Sequence, residues 1–272
     1  MNNLIILGSG RSGTSAVAGL FRNVKDVFYG YDVLAPTDGN TTGYFEDEVV
    51  NAVNNVLLRQ MTRVSILDVL PEWLVSRVEN RFPWTHRDTR SLWLALPRHS
   101  LPRGASYDLA HLMGRIVRHQ PFCLKDPRFG FTLPMWRPYL PEDVLFLVVF
   151  RNPADTIRSI LRDATELYGN RPLPITERWA TDHWKLMYES ILAQRAQDKN
   201  KAAWLFVEFP VALSQTCLPA VEDFCDCSVD SSHIRNPRGG GSVFAVDVAR
   251  IDAECGPLLR RLRAVANDCQ KR

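Results

Sequence analysis

The chain has 272 residues, 46% hydrophobic and 23% charged, with a formal net charge of +3. This composition excludes a disordered or fibrous chain, and the longest apolar run, Val144 to Phe150, is far too short to span a membrane. The charge is too mild to point to nucleic acid, yet it leaves room for a local basic site that takes a small anion.

Four short apolar runs read as buried parallel strands: Leu4 to Leu7, Phe122 to Lys125, Val144 to Phe150 and Trp204 to Phe209. Helical patterns lie between them, over Ser15 to Arg22, Glu48 to Met61, Tyr107 to His119, Pro153 to Ala164 and Thr176 to Gln197. Alternating strands and helices predict an α/β fold, with a central parallel sheet flanked by helices. Residues 70–104 are rich in Pro, Trp and Arg and lack a clear period. They read as an insertion or lid on a single domain spanning 1–272. Seven arginines lie between Arg81 and Arg118, opposed only by Asp88 and Asp108. With Trp84 and Trp93 they make either a solvated face or a wall for an anionic or sugar-like ligand.

The first strand runs into Gly8-Ser9-Gly10-Arg11-Ser12-Gly13-Thr14-Ser15 and then into a helix former. Strand, glycine-rich turn and helix start together make an anion cradle, because backbone N–H groups converge there. Thr14 and Ser15 add hydroxyls, and Arg11 adds a full charge. The nucleoside-triphosphate loop G-x-x-x-x-G-K-[ST] has the same glycine separation, but Thr14 stands where its lysine belongs. The cradle therefore suits a ligand of lower charge density than a triphosphate.

The third strand ends in Arg151-Asn152-Pro153-Ala154-Asp155, with Ser159 two turns into the next helix. Asn152 is a good N-cap and Pro153 a good first helical residue, and Asp155 occupies the capping-box position. Arg151 thus emerges at the carboxyl end of a strand, where α/β folds bind ligands. Arg151 and Ser159 are placed to hold one phosphate from two directions.

Taken together, the two motifs resemble the sulfotransferases that use 3′-phosphoadenosine 5′-phosphosulfate (PAPS) and release 3′-phosphoadenosine 5′-phosphate (PAP). The loop Gly10, Arg11, Ser12, Gly13, Thr14 and Ser15 is most similar to bacterial and carbohydrate-type members, in which this loop grips the 5′-phosphosulfate. Arg151-Asn152-Pro153, Asp155 and Ser159 match the family's segment for the 3′-phosphate. Gly43-Tyr44-Phe45-Glu46, after the polar run Asn40-Thr41-Thr42, and Lys125-Asp126-Pro127-Arg128 are similar to two further elements of bacterial members. The resemblance implies a P-loop-like three-layer fold and sulfuryl transfer without a metal. It implies Lys125 at the sulfuryl or bridging oxygen, and Glu46, with Asp126 second, as the general base. Arg11 and the Ser12 to Ser15 amides would stabilise the leaving phosphate. Arg238 and Gly239 would belong to a loop that closes over the nucleotide. The implied acceptor is a hydroxyl or amine of a carbohydrate, a glycoconjugate or another natural product, and no nucleic-acid partner is implied. Two other readings fit the loop less well: a P-loop small-molecule kinase or NTPase, and a non-catalytic scaffold binding PAP or a glycan.

Six cysteines are present, and Cys225-x-Cys227 lacks the spacing of a zinc knuckle or redox pair. The opening residues lack the basic flank and long apolar region of a signal peptide. The expectation is a cytoplasmic protein with free thiols.

Overall fold

The structure is a computed structural model, and it describes residues 1–35, 43–62, 89–97, 105–166, 175–232 and 244–270. Strand β1 (Leu4–Leu7) leads into the short helix α1 (Thr14–Ala18), followed by a 3-10 turn over Gly19–Phe21. Helix α2 (Glu48–Thr62) and a 3-10 turn over Thr89–Leu94 precede α3 (Tyr107–Ile116). Then come β2 (Cys123–Lys125), α4 (Phe129–Trp136), β3 (Leu145–Arg151) and α5 (Pro153–Glu166). Helix α6 (Glu177–Gln197), β4 (Trp204–Phe209), α7 (Leu218–Cys225) and α8 (Val248–Gln270) complete the order.

The four strands form one parallel sheet in the order β2-β1-β3-β4. Leu4 pairs with Cys123 on one side and with Leu145 on the other, and Phe146 pairs with Trp204. Both faces of the sheet are covered, so the strands read as continuous apolar runs whose successive residues alternate between the two coverings. Ile5, Leu7, Leu124, Phe146, Val148, Phe150 and Phe206 pack against the face formed by α2, α3, α4, α5, α6 and α8. Leu4, Ile6, Cys123, Leu147, Val149, Leu205 and Val207 pack on the opposite side, with α1 and α7. The result is a three-layer α/β fold, as the alternation of strands and helices predicts.

The strand order places the topological switch between β1 and β3, whose carboxyl ends open a crevice. Of the expected insertion, residues 70–88 and 98–104, with Trp84, lie outside the described residues. No described helix is long and apolar enough to cross a membrane. Cys123, Cys217, Cys225, Cys227 and Cys255 are free.

Candidate functional site

The glycine turn after β1 is built around close contacts that only glycine permits. Gly13, at φ +93°, caps α1, and a Cβ there would lie 2.3 Å from the ring of Phe209 at the end of β4. A Cβ on Gly10 would lie 2.4 Å from the indole of Trp93. Arg11 itself is left-handed, at φ +67°, a conformation rare outside glycine. Tyr188 of α6 ties the turn to the sheet: its hydroxyl donates to the Val149 carbonyl (2.9 Å) and accepts from Ser9 N–H (3.2 Å). Buried Ser12 donates its N–H to the Ser9 carbonyl at 3.2 Å, so that amide is already used inside the turn. Gly13 N–H and the first-turn amides of Thr14 and Ser15 lack intrahelical acceptors by helix geometry.

On one side of this turn stands a cluster of arginines. Asn152 caps α5, its side chain accepting from Ala154 N–H (2.9 Å) and Asp155 N–H (3.4 Å). Asp155 does not complete a capping box. It pairs with Arg158 at 3.0 Å and reaches Arg151 Nε at 4.0 Å. Arg151 Nε is buried without a hydrogen-bond partner. Burial holds this guanidinium below its ordinary pKa; Asp155 opposes that, while Arg11, Arg162 and Arg158 push further down. Arg11 crosses from the turn to α5, donating to Ser159 Oγ (3.2 Å) and pairing with Asp163 (3.5 Å). Arg151 also lies over the ring of Phe209, 5.6 Å from its centroid.

On the other side stands Lys125, at the carboxyl end of β2 and buried. Its Nζ donates to Ser15 Oγ (3.1 Å), the Tyr44 carbonyl (3.3 Å) and Glu46 Oε1 (2.5 Å). Glu46 Oε2 accepts from Asn51 Nδ2 (3.2 Å) and lies 3.7 Å from Arg128 Nη1. Phe45, just before it, is left-handed at φ +54°. A bulky residue at positive φ is an outlier that persists only where surrounding contacts enforce it. The chain is thus bent sharply to deliver Glu46 to Lys125.

Asp126 takes the other face of the sheet and is fully buried. It accepts from Arg128 N–H (2.8 Å), Arg128 Nη1 (3.0 Å) and Asn54 Nδ2 (2.9 Å). Burial raises its pKa, and the Arg128 guanidinium opposes the rise. Asn54 is fixed in turn by Thr132 (2.7 Å) and Trp136 (2.9 Å). Asp126 therefore acts on the site through Arg128, which touches both carboxylates.

The structure brings Gly10, Arg11, Ser12, Gly13, Thr14, Ser15, Glu46, Lys125, Arg151 and Ser159 to the carboxyl edge of the sheet. Arg238 and Gly239 lie outside the described residues, as do Asn40, Thr41 and Thr42. Sequence reasoning did not find Phe209, Tyr188 or Asp163. Asp163 had a readable signal, since it follows Ser159 by four residues on one helix. Phe209 and Tyr188 meet the turn only through the fold.

No family model matches the sequence, and no curated protein matches it. Among solved structures, it is similar to a sulfotransferase domain from the curacin biosynthetic pathway, at 13% identity and a TM-score of 0.47. That alignment covers 89% of this chain and 81% of the other.

Proposed function

We propose that the protein is a sulfotransferase, moving a sulfuryl group from PAPS to a hydroxyl or amine of a small-molecule or glycan acceptor. One observation carries this reading: two basic centres flank the glycine turn, the Arg11–Arg151–Ser159 cluster at the end of β3 and Lys125–Ser15 at the end of β2. Two strand spacings separate β2 from β3, about 10 Å. A donor with an anionic group at each end matches that division. The chain's own residues fit it: among the described residues Arg151 Nε is buried without a hydrogen bond, and Gly10 and Gly13 leave no room for a side chain in the turn.

In this reading Arg151, Ser159 and Arg11 hold the 3′-phosphate. The contact between Arg11 and Ser159 favours this role for Arg11 over a place at the leaving phosphate. The amides of Gly13, Thr14 and Ser15 orient the 5′-phosphate, while Ser12 and Gly10 shape the turn. Lys125 stabilises negative charge that spreads during transfer. Glu46 takes the acceptor's proton as the acceptor O–S or N–S bond forms and the sulfur–phosphate oxygen bond breaks, leaving PAP. Asp126 is a positioning residue, holding Arg128 against Glu46. Arg238 and Gly239 retain the expected role of a closing loop.

Calorimetry with PAP and with ATP, followed by an assay of PAP release from PAPS over an acceptor panel, tests the proposal. The expected result is PAP binding at least tenfold tighter than ATP, with acceptor-dependent PAP release. Magnesium-dependent ATP turnover without PAP binding would replace it with the kinase reading, and PAP binding without transfer to any acceptor with the scaffold reading.

A further inference from the structure

A cavity of about 200 Å³ opens beside Lys125, on the α1 face of the edge strand β2. Its walls are Ala18, Tyr29, Val33, Phe45 and Cys123, with Arg22 at the rim and Lys125 at one end. The polar groups of this wall are already engaged. The Tyr29 hydroxyl donates to the Phe21 and Val24 carbonyls, which leaves its ring facing the cavity. Arg22 is drawn outward to Asp230 (3.2 Å) and Ser232 (3.4 Å). Burial keeps the Cys123 thiol protonated, so it lines the wall as a neutral group. Lys125 gives its hydrogen bonds to Ser15, Tyr44 and Glu46.

Among the described residues of this wall, a polyhydroxylated ligand would lose water without gaining a partner for each hydroxyl, and that loss is unfavourable. A neutral apolar body loses nothing of the kind. A cavity of roughly 150 Å³ takes a benzene ring, so this one has space for about one ring with a short alkyl chain. Among the described residues of this wall, the buried charged side chain is Lys125, paired with Glu46.

We infer that this cavity holds the apolar body of the acceptor, and that the acceptor is a small monohydroxylated molecule, a phenol or alcohol with about one ring or an equivalent chain, in place of a sugar. The inference rests on the sulfotransferase reading and names the acceptor class for that site. Phe45 links the two functions: it lines the cavity, and its left-handed backbone turns the next residue, Glu46, onto Lys125, which also lines the cavity. In this proposal the acceptor's hydroxyl lies at Lys125, beside the carboxylate that Lys125 holds, while its carbon body fills the cavity.

The test uses 4-propylphenol as probe, with N-acetylglucosamine as the sugar comparison. Binding is measured by calorimetry with and without PAP, and transfer is measured from PAPS. The expected result is that 4-propylphenol binds and accepts, while the sugar does not. Val33→Trp fills the cavity from its partly exposed edge and should raise the KM for 4-propylphenol at least tenfold, with PAP affinity unchanged within twofold. Val33→Ala enlarges the cavity and should shift preference toward 4-pentylphenol, which keeps the test decisive if the tryptophan variant folds poorly. Transfer to the sugar but not to the phenol, with PAP still bound, would overturn the cavity assignment and leave the sulfotransferase reading standing. Phenol binding that Val33→Trp abolishes, in a protein that does not bind PAP, would sink the sulfotransferase reading and the acceptor role with it, leaving only an apolar binding cavity.

Discussion

A buried guanidinium nitrogen without a hydrogen-bond partner is costly, and Arg151 bears that cost beside three other arginines. Asp155 at 4.0 Å and the Phe209 ring leave that nitrogen without a hydrogen bond, which the phosphate of the proposed ligand would supply. Arg151→Ala should therefore weaken PAP binding by roughly 1.5–3 kcal/mol, as for a charge-assisted hydrogen bond, and calorimetry reads this directly. Unchanged affinity would remove Arg151 from the site. Glu46 carries a different expectation. Glu46→Gln keeps the shape and the contact with Asn51 but cannot take a proton, so turnover should fall on the order of 100-fold while PAP affinity holds. Single-turnover measurement with saturating PAPS separates the two effects, and a fully active variant would reassign the base. Both residues were legible in the sequence because each sits in a short motif. The contrast between Lys125 and Asp126 was not. Adjacent strand residues point to opposite faces, and only the packing of α2 and α4 shows which face is the interior.

The elements that aim these residues are held by contacts the sequence does not announce. Helix α6 grips the turn over residues 89–94 through Trp179 Nε1, which donates to the Leu94 carbonyl (2.9 Å), and through His183 Nδ1, 3.1 Å from the Ala95 carbonyl. That grip sets Trp93 on Gly10, so α6 reaches the glycine turn through residues 89–95. His183 is fully buried, and burial lowers its pKa to about 4. The folded protein thus favours the neutral ring. The stability His183 contributes is present above pH 6.5 and is lost as the pH falls toward about 4. From pH 7 to pH 5 the loss should be about 2 kcal/mol, and His183→Asn should flatten that slope in urea unfolding at the two pH values. An equal slope in both proteins would mean that other groups set the acid response. Helix α4 shows why some elements were missed. All but one of its residues are buried, and Pro134 interrupts it, so it has neither an amphipathic period nor an intact propensity signal. By contrast α5, with its Asn-Pro start and polar outer face, was read within two residues at its end.

At the scale of the molecule, the α/β class and the four strands were legible because buried parallel strands are continuous apolar runs. Their lateral order was not, since nothing in a run of valines and leucines names its neighbour. The order β2-β1-β3-β4 puts the glycine turn and the Arg151 segment after adjacent strands and the cavity at the sheet edge. A ligand that bridges the ends of β1 and β3 binds only the folded state. PAP at about 100 times its dissociation constant should therefore add about 2.7 kcal/mol to stability. For a chain of this size that corresponds to a rise of roughly 5–10 °C in Tm, measurable by calorimetric scanning. ATP at the same concentration should raise Tm far less, and equal shifts would argue against discrimination by the arginine cluster.

The ring of Phe209 touches both halves of that crevice, filling the space a side chain would need at Gly13 and supporting the guanidinium of Arg151. One aromatic ring therefore sets the footing of both the glycine turn and the arginine. The two grips cannot be tuned separately: a smaller group at position 209 would let the turn sink and the arginine tilt in the same stroke. Under the proposed function, selectivity for a doubly phosphorylated ligand would be a property of their common footing, and a ligand with a single phosphate would meet a surface spaced for two.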